Sequence, residues 1–155
     1  MKEMTLKVGD QAPEFALPDQ NGIPTDTKEF DCQNVLLSFH PLAFTGVCEI
    51  QMRTLELKKK ELDELNTVAL GISVDSMYAK KAWADSINVK ETKLLADFWP
   101  HGDVAKKYEQ FIEKAGVSGR TNILLDHNHK IVWIKRYEIM EVPDIEEVIK
   151  EIKKL

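Results

Sequence analysis

The stretch Val35-Leu36-Leu37-Ser38-Phe39-His40-Pro41-Leu42-Ala43-Phe44-Thr45-Gly46-Val47-Cys48 decides how the chain folds and where its chemistry lies. Its first five residues form an apolar run without strict alternation, the pattern of a strand covered on both faces. Near Cys48 the period changes: Val47, Ile50, Leu55, Leu57, Leu62 and Leu65 recur near helical spacing among charged residues, with Asn66 as the stop. A cysteine so placed falls in the first helical turn. There the unpaired N–H groups and the positive dipole end favour an anion, and hence the nucleophilic thiolate form. Thr45 stands three residues earlier, an N-cap candidate whose hydroxyl is also within reach of the sulfur. The segment reads as a thiol active site.

Outward from it, turn residues punctuate the first thirty positions: Gly9-Asp10, Pro13, Pro18-Asp19, Asn21-Gly22 and Pro24. Asp19 to Gly22 between short apolar patches predicts a small hairpin, with Phe15 and Leu17 pointing inward and a polar approach from Lys28 to Asn34. Downstream, Val68–Val74 reads as a second buried strand, and Asp75-Ser76 caps a helix running to about Ser86. Its apolar face is Ala79, Ala82, Trp83 and Ile87. Leu94–Ala96 is a short strand, residues 97–102 a loop, Asp103–Phe111 a short helix and Glu113–Gly119 a mobile connection. Two strands, Thr121–Leu125 and Ile131–Tyr137, flank a tight turn at Asp126–Lys130. Pro143-Asp144 opens a last helix with Ile145, Val148, Ile149 and Ile152 on one face.

Strands alternating with helices, closed by a ββ pair, imply a single α/β domain over residues 1–155: a mixed central sheet flanked by helices, with an N-terminal β-hairpin extension. A chain of 155 residues buries roughly two thirds of its unfolded surface and needs no disulfide staples. The net charge is 21 − 26 = −5 with no basic stripe, which argues against nucleic acid and anionic membrane surfaces as partners. The segment Met1–Lys7 lacks the apolar core of a signal peptide, and no run approaches the roughly 18 to 20 apolar residues of a membrane span. Cys32 and Cys48 do not form a secreted-type disulfide framework. The expected compartment is reducing and cytoplasmic.

Pro41, Thr45 and Cys48 have the spacing Pro-x-x-x-Thr-x-x-Cys, which resembles the active site of peroxiredoxins, the thioredoxin-like alkyl hydroperoxide reductase/thiol-specific antioxidant group. The resemblance runs along nearly the whole chain. Lys7–Phe15 looks like the family's opening segment and Gly71–Asp75 like its second core strand. Asp97-Phe98 and Gly102–Tyr108 are similar to its third-strand loop and helix, and Gly119–Asp126 to the segment carrying its arginine. By resemblance the fold is thioredoxin-like, Cys48 is the peroxidatic cysteine, and Pro41, Thr45 and Arg120 complete the pocket. The proline shields the sulfur; threonine and arginine hydrogen-bond sulfur and peroxide oxygens. The implied substrate is hydrogen peroxide or an alkyl hydroperoxide, reduced through a cysteine sulfenic acid, with no cofactor and no metal. A homodimer is implied too, through aromatic loop residues such as Phe44, Phe98 and Trp99.

The pattern departs from the best-known subclasses in its resolving cysteine. No cysteine follows Cys48, position 53 is arginine, and the helix after the second strand has none, so the chain looks like a one-cysteine type reduced by an external thiol or redox protein. Cys32 lies in no familiar resolving position. Gln51 stands where many relatives carry glutamate, keeping polarity without charge, and Glu49 suits the helix dipole but opposes a nearby thiolate. His127 and His129 read as solvated turn residues rather than metal ligands. His40 is structural or pocket-lining, and His101 falls near the site rim. Two other functions fit the same pattern less fully: a thioredoxin-type thiol-disulfide oxidoreductase, which needs a cysteine where Thr45 stands, and a non-enzymatic redox sensor.

Overall fold

The computed structural model describes residues 4–155; the first three residues of the Met1–Lys7 segment lie outside it. Its central sheet has five strands: β3 (Asn34–Phe39), β4 (Thr67–Ser73), β5 (Lys93–Ala96), β8 (Arg120–Leu125) and β9 (Ile131–Tyr137), in the order β5-β4-β3-β8-β9. The three strands β3, β4 and β5 run parallel, while β8 pairs antiparallel with both β3 and β9. Every residue of β3 and of β8 is buried, as expected of central strands covered on both faces. The expected hairpin is present as β1 (Ala16–Pro18) and β2 (Pro24–Asp26), with Phe15 and Leu17 buried.

Alternation along the strands divides the core into two halves. Val35, Leu37 and Phe39 face a cluster built with Phe15, Leu17, Phe30, Val104 and Tyr108, so the hairpin and α4 (Asp103–Lys107) cover that side. Leu36 and Leu124 face the other side with Met52, Leu55, Leu62, Trp83, Val148 and Ile152. These come from α1 (Gly46–Leu57), α2 (Lys59–Glu64), α3 (Met77–Ser86) and α5 (Ile145–Ile152). Ser38 pairs in register with Asn122, and both share the parity of Leu36 and Leu124. Arg120, two residues before Asn122, has that parity as well. The pleat alone therefore aims Arg120 at the face on which α1 lies.

Several elements differ from expectation. The long helix after Cys48 is two helices that meet at Lys58 (φ −96°, ψ 5°), and its amine binds Glu146 on α5 at 2.8 Å. The break turns Leu62 into the core but leaves Leu57 at 82% exposure and Ile50 exposed too, so these two are not part of the buried face. Helix α4 stops at Lys107 instead of reaching Phe111, because Glu109 takes the left-handed conformation (φ 59°) and its carboxylate accepts the Leu6 N–H at 2.6 Å. The supposed connection 113–119 is the turn and second strand of a small hairpin, β6 (Phe111–Ile112) with β7 (Val117–Ser118), turned at Gly116 (φ 69°). The polar approach to β3 contains a 3-10 helix, Thr27–Phe30, closed by an Asp26/Glu29 capping box. On α3 the buried residues are Lys80, Trp83 and Ala84, while Ala82 is exposed. A lysine on an apolar face is the largest surprise of the chain, and its partner explains it below.

Candidate active site

Strand β3 ends at Phe39, and the loop 40–45 lifts the chain from the sheet into α1. Phe44 makes the turn in the left-handed region (φ 64°), a conformation costing about 1–3 kcal/mol for such a residue. Thr45 then occupies the N-cap position, but its side chain caps nothing: the hydroxyl donates to the Leu42 carbonyl at 2.7 Å. The expected double role as cap and pocket residue is thus corrected for the cap. Cys48, third residue of α1, is fully buried, and Pro41 in the loop is buried too.

Arg120 comes to Cys48 from across the sheet. Its Nη1 donates to Cys48 Sγ at 3.3 Å and to Gln51 Oε1 at 2.7 Å, while Nε and Nη2 both donate to the Ile139 carbonyl at 3.0 and 2.7 Å. Gln51 is held in turn, since its Nε2 donates to Ser38 Oγ at 2.7 Å and to the Phe39 carbonyl at 3.3 Å. That fixes the amide with its oxygen toward the guanidinium. A buried guanidinium is tolerated here because carbonyl and amide oxygens replace its lost hydration. A carboxylate at position 51 would neutralise the arginine; the amide aligns it and leaves its charge for the sulfur.

Below the loop lies a second buried basic group. His40 and Lys80 are both fully buried, and Lys80 Nζ stands 2.7 Å from His40 Nε2. His40 Nδ1 is 3.2 Å from the Ser38 carbonyl, so Nδ1 carries the proton and Nε2 accepts from lysine. Burial, with the Lys80 charge beside it, holds the His40 pKa well below the usual range. Burial likewise pulls Lys80 down to about 7 against the opposing charges of Asp75 and Cys48. Gly71 makes room for this pair, as a Cβ there would collide with Met52 and crowd the His40 ring.

Glu49 leans to Arg53 at 3.6 Å with both side chains partly exposed, so its charge is screened from the sulfur. Cys32 is exposed, in the left-handed region (φ 70°). His101 is held on its own loop: its Nε2 donates to the Gly116 carbonyl at 2.7 Å and its ring packs edge-on against Phe111. Among the described residues no group of three or more His, Cys, Asp or Glu side chains is placed to hold a metal ion. Reasoning from sequence missed Lys80 and the Ile139 carbonyl. The second carries no residue-type signal at all; the first interrupts the apolar stripe of α3, and that interruption was the available clue.

Residues 8–134 match the model of the AhpC/TSA family. Alkyl hydroperoxide reductase E of Mycobacterium tuberculosis is 37% identical over 140 residues, covering 90% of this chain and 91% of that protein. A protein named thiol peroxidase from Staphylococcus saprophyticus is 30% identical over 153 residues, covering 97% and 90%. Among solved structures, AhpC of Enterococcus faecalis superposes with a TM-score of 0.88 at 22% identity, over 97% of this chain and 92% of that one. The reduced 2-Cys peroxiredoxin of Plasmodium vivax gives 0.84 at 27% identity, over 94% and 80%. The fold is thioredoxin-like. The chain belongs to the AhpC/TSA family of peroxiredoxins, which are enzymes of the oxidoreductase class.

Proposed function

We propose that this protein is a thiol-dependent peroxidase whose Cys48 thiolate reduces hydrogen peroxide or a small organic hydroperoxide. The observation that carries the reading is the Arg120 Nη1 to Cys48 Sγ contact at 3.3 Å, made by a guanidinium clamped on its far side to Ile139. Arginine stays charged at every working pH, so the sulfur always faces a cation. The four contacts above engage four of its five N–H groups, and the fifth, on Nη2, is the donor left for a peroxide oxygen. Thr45, already donating to Leu42, has lone pairs free to accept the peroxide proton. Pro41 shields the sulfur side of the pocket.

In the reaction the thiolate attacks the nearer peroxide oxygen in line. The S–O bond forms as the O–O bond breaks, the sulfur is oxidised to sulfenic acid, and the departing oxygen leaves as water or an alcohol after taking up a proton. Charge accumulates on that oxygen in the transition state. A preorganised donor aimed at it contributes roughly 3–4 kcal/mol in comparable anion sites. The complete burial of Cys48 favours small peroxides, since a bulky substrate would have to open the first turn of α1.

Reduction of the sulfenic acid falls to an external thiol or a redox protein. Cys32 and Cys48 are the two cysteines of the sequence, and Cys32 sits at the far end of β3 from Cys48, which supports a one-cysteine cycle. Exposed Leu42, Phe44, Tyr78, Phe98 and Trp99 are carried on the segments that follow the C-terminal ends of the three parallel strands, an apolar surface suited to a homodimer of this single domain. No helix among the described residues is long and apolar enough to cross a membrane. The cytoplasm is the compartment that would supply reduced thiols.

The test is peroxide consumption by purified protein with excess dithiothreitol. The wild type should turn over and Cys48→Ser should fall to the uncatalysed rate. Full activity in Cys48→Ser would remove the assignment.

A further inference from the structure

The pair His40–Lys80 has no part in the chemistry above, yet it occupies the floor of the loop that carries Pro41 to Thr45. Two basic side chains buried against each other at 2.7 Å are costly unless the arrangement is satisfied. Here the hydrogen bonds run one way: Lys80 Nζ to His40 Nε2, then His40 Nδ1 to the Ser38 carbonyl. Ser38 also takes the Gln51 amide through its hydroxyl, so the lysine chain and the arginine clamp are anchored on one residue of β3.

The groups around Lys80 can be named element by element. On α3 its ammonium lies 5.3 Å from the Trp83 ring centroid, over the indole face. After β4, Asp75 is held by the Ser73 hydroxyl at 2.6 Å and the Ala43 N–H at 2.9 Å. Just after β3 comes His40, on which Arg120 of β8 acts, and from α1 comes Cys48, packed in the same buried cluster as the Trp83 ring that the ammonium faces. Asp75, partly exposed and with two donors on its Oδ2, and Cys48 are the two groups in this set that can carry negative charge. One of them appears and disappears with the state of the thiol.

We propose that Lys80 is a positioning residue for Cys48, a second buried cation, oriented by His40, whose charge is present when Cys48 is a thiolate and is given up when that anion is lost. The proposal rests on the reading of Cys48 as the reactive thiolate. Coupling between two sites is reciprocal: whatever the lysine charge does for the thiolate, the thiolate does equally for the lysine charge. Burial has already brought Lys80 to about 7, so a modest change in its surroundings is enough to move its proton near neutral pH. Charge balances through the cycle. Thiolate plus ammonium plus peroxide gives neutral sulfenic acid, neutral amine and a neutral alcohol or water, the ammonium proton offsetting the one the leaving oxygen takes up.

The test reads both directions without requiring turnover. In the first, the lysine side-chain carbons are labelled and followed by NMR against pH, with Lys80 assigned through Lys80→Met. Cys48→Ser should move the Lys80 midpoint down by about one pH unit, a tenfold change in its protonated-to-neutral ratio at fixed pH. In the second, the ultraviolet thiolate absorbance of Cys48 is titrated in wild type and Lys80→Met. The thiolate fraction at fixed low pH should fall about tenfold in the variant, the reciprocal amount, and Lys80→Arg should restore it. A Lys80 midpoint that ignores Cys48→Ser overturns the proposal, even if Lys80→Met alters the thiol, because only repacking would then remain. Should Lys80→Met fail to fold, assignment passes to Lys80→Arg and the first arm still decides. Coupling present in a protein that consumes no peroxide would keep this inference and remove the peroxidase reading.

Discussion

Two cations are buried near one sulfur, and they are held differently. Arg120 rests in oxygen: the Ile139 carbonyl takes two of its N–H groups, Gln51 a third, and the Cys48 sulfur a fourth. Lys80 faces another base, an aromatic ring and one carboxylate whose Oδ2 already takes two other donors. The first environment suits a group that is always charged; the second suits a group that exchanges its charge with its surroundings. Burial of a cation therefore does not define its role. The partners decide whether it serves as a fixed electrode or as a proton store.

The largest effect should come from replacing the fixed cation. Arg120→Lys keeps a positive charge but cannot span Ile139, Gln51 and the sulfur together. Peroxide kcat/KM should fall by roughly 100- to 1,000-fold. A loss under fivefold would mean that charge alone suffices and that the fork geometry is irrelevant.

A smaller effect separates the two cations through stability against pH. The unfolded chain holds the Lys80 proton up to its ordinary 10.5, while the folded chain releases it near 7. Between those values the unfolded state binds more protons, so folding stability from this group rises with pH across about 7 to 10.5. Urea unfolding of wild type and Lys80→Met at pH 7 and pH 9 should show the wild type gaining on the variant, by at most about 1.4 kcal/mol per pH unit. A difference independent of pH would show that Lys80 folds without losing its proton, making it a fixed cation like Arg120.

The smallest effect belongs to Thr45. A threonine that truly caps a helix costs about 1 kcal/mol when its hydroxyl is removed. Here the hydroxyl serves Leu42, with that bond on the exposed side of the loop, so Thr45→Val should change stability by less than about 0.5 kcal/mol while still impairing peroxide reduction. A full cap penalty in thermal unfolding would return Thr45 to the role its sequence position implies.

Much of this contrast was legible in the chain. The apolar run at Val35–Phe39 and the change to helical spacing near Cys48 gave the strand, the helix and the thiol between them. The Arg120 segment was found by resemblance, and strand parity accounts for its direction once the pairing of β3 with β8 is known. Less was legible where neighbours in space override neighbours in sequence. At Lys58 the helical pattern breaks, and the Lys58 amine reaches Glu146, far along the chain on α5. Glu109 ends α4 early because Thr5 and Leu6 present N–H groups to its carboxylate. Thr45 looked like a cap, and a carbonyl three residues back took its hydroxyl.

The sequence by itself determined the five strands of the central sheet and the main helices between them, because hydrophobic period is a local property. It also placed Cys48 in a first helical turn, where backbone dipoles act whatever surrounds them. The tertiary structure alone decided the electrostatics of the sulfur. Arg120 and Lys80 are both basic letters, and their local sequence does not say what each will face once buried. Only the packing of β8 against β3, and of α3 under the loop after β3, gives one of them oxygen partners and the other a histidine. Charge in a protein interior belongs to the surroundings as much as to the residue, and surroundings exist only after folding.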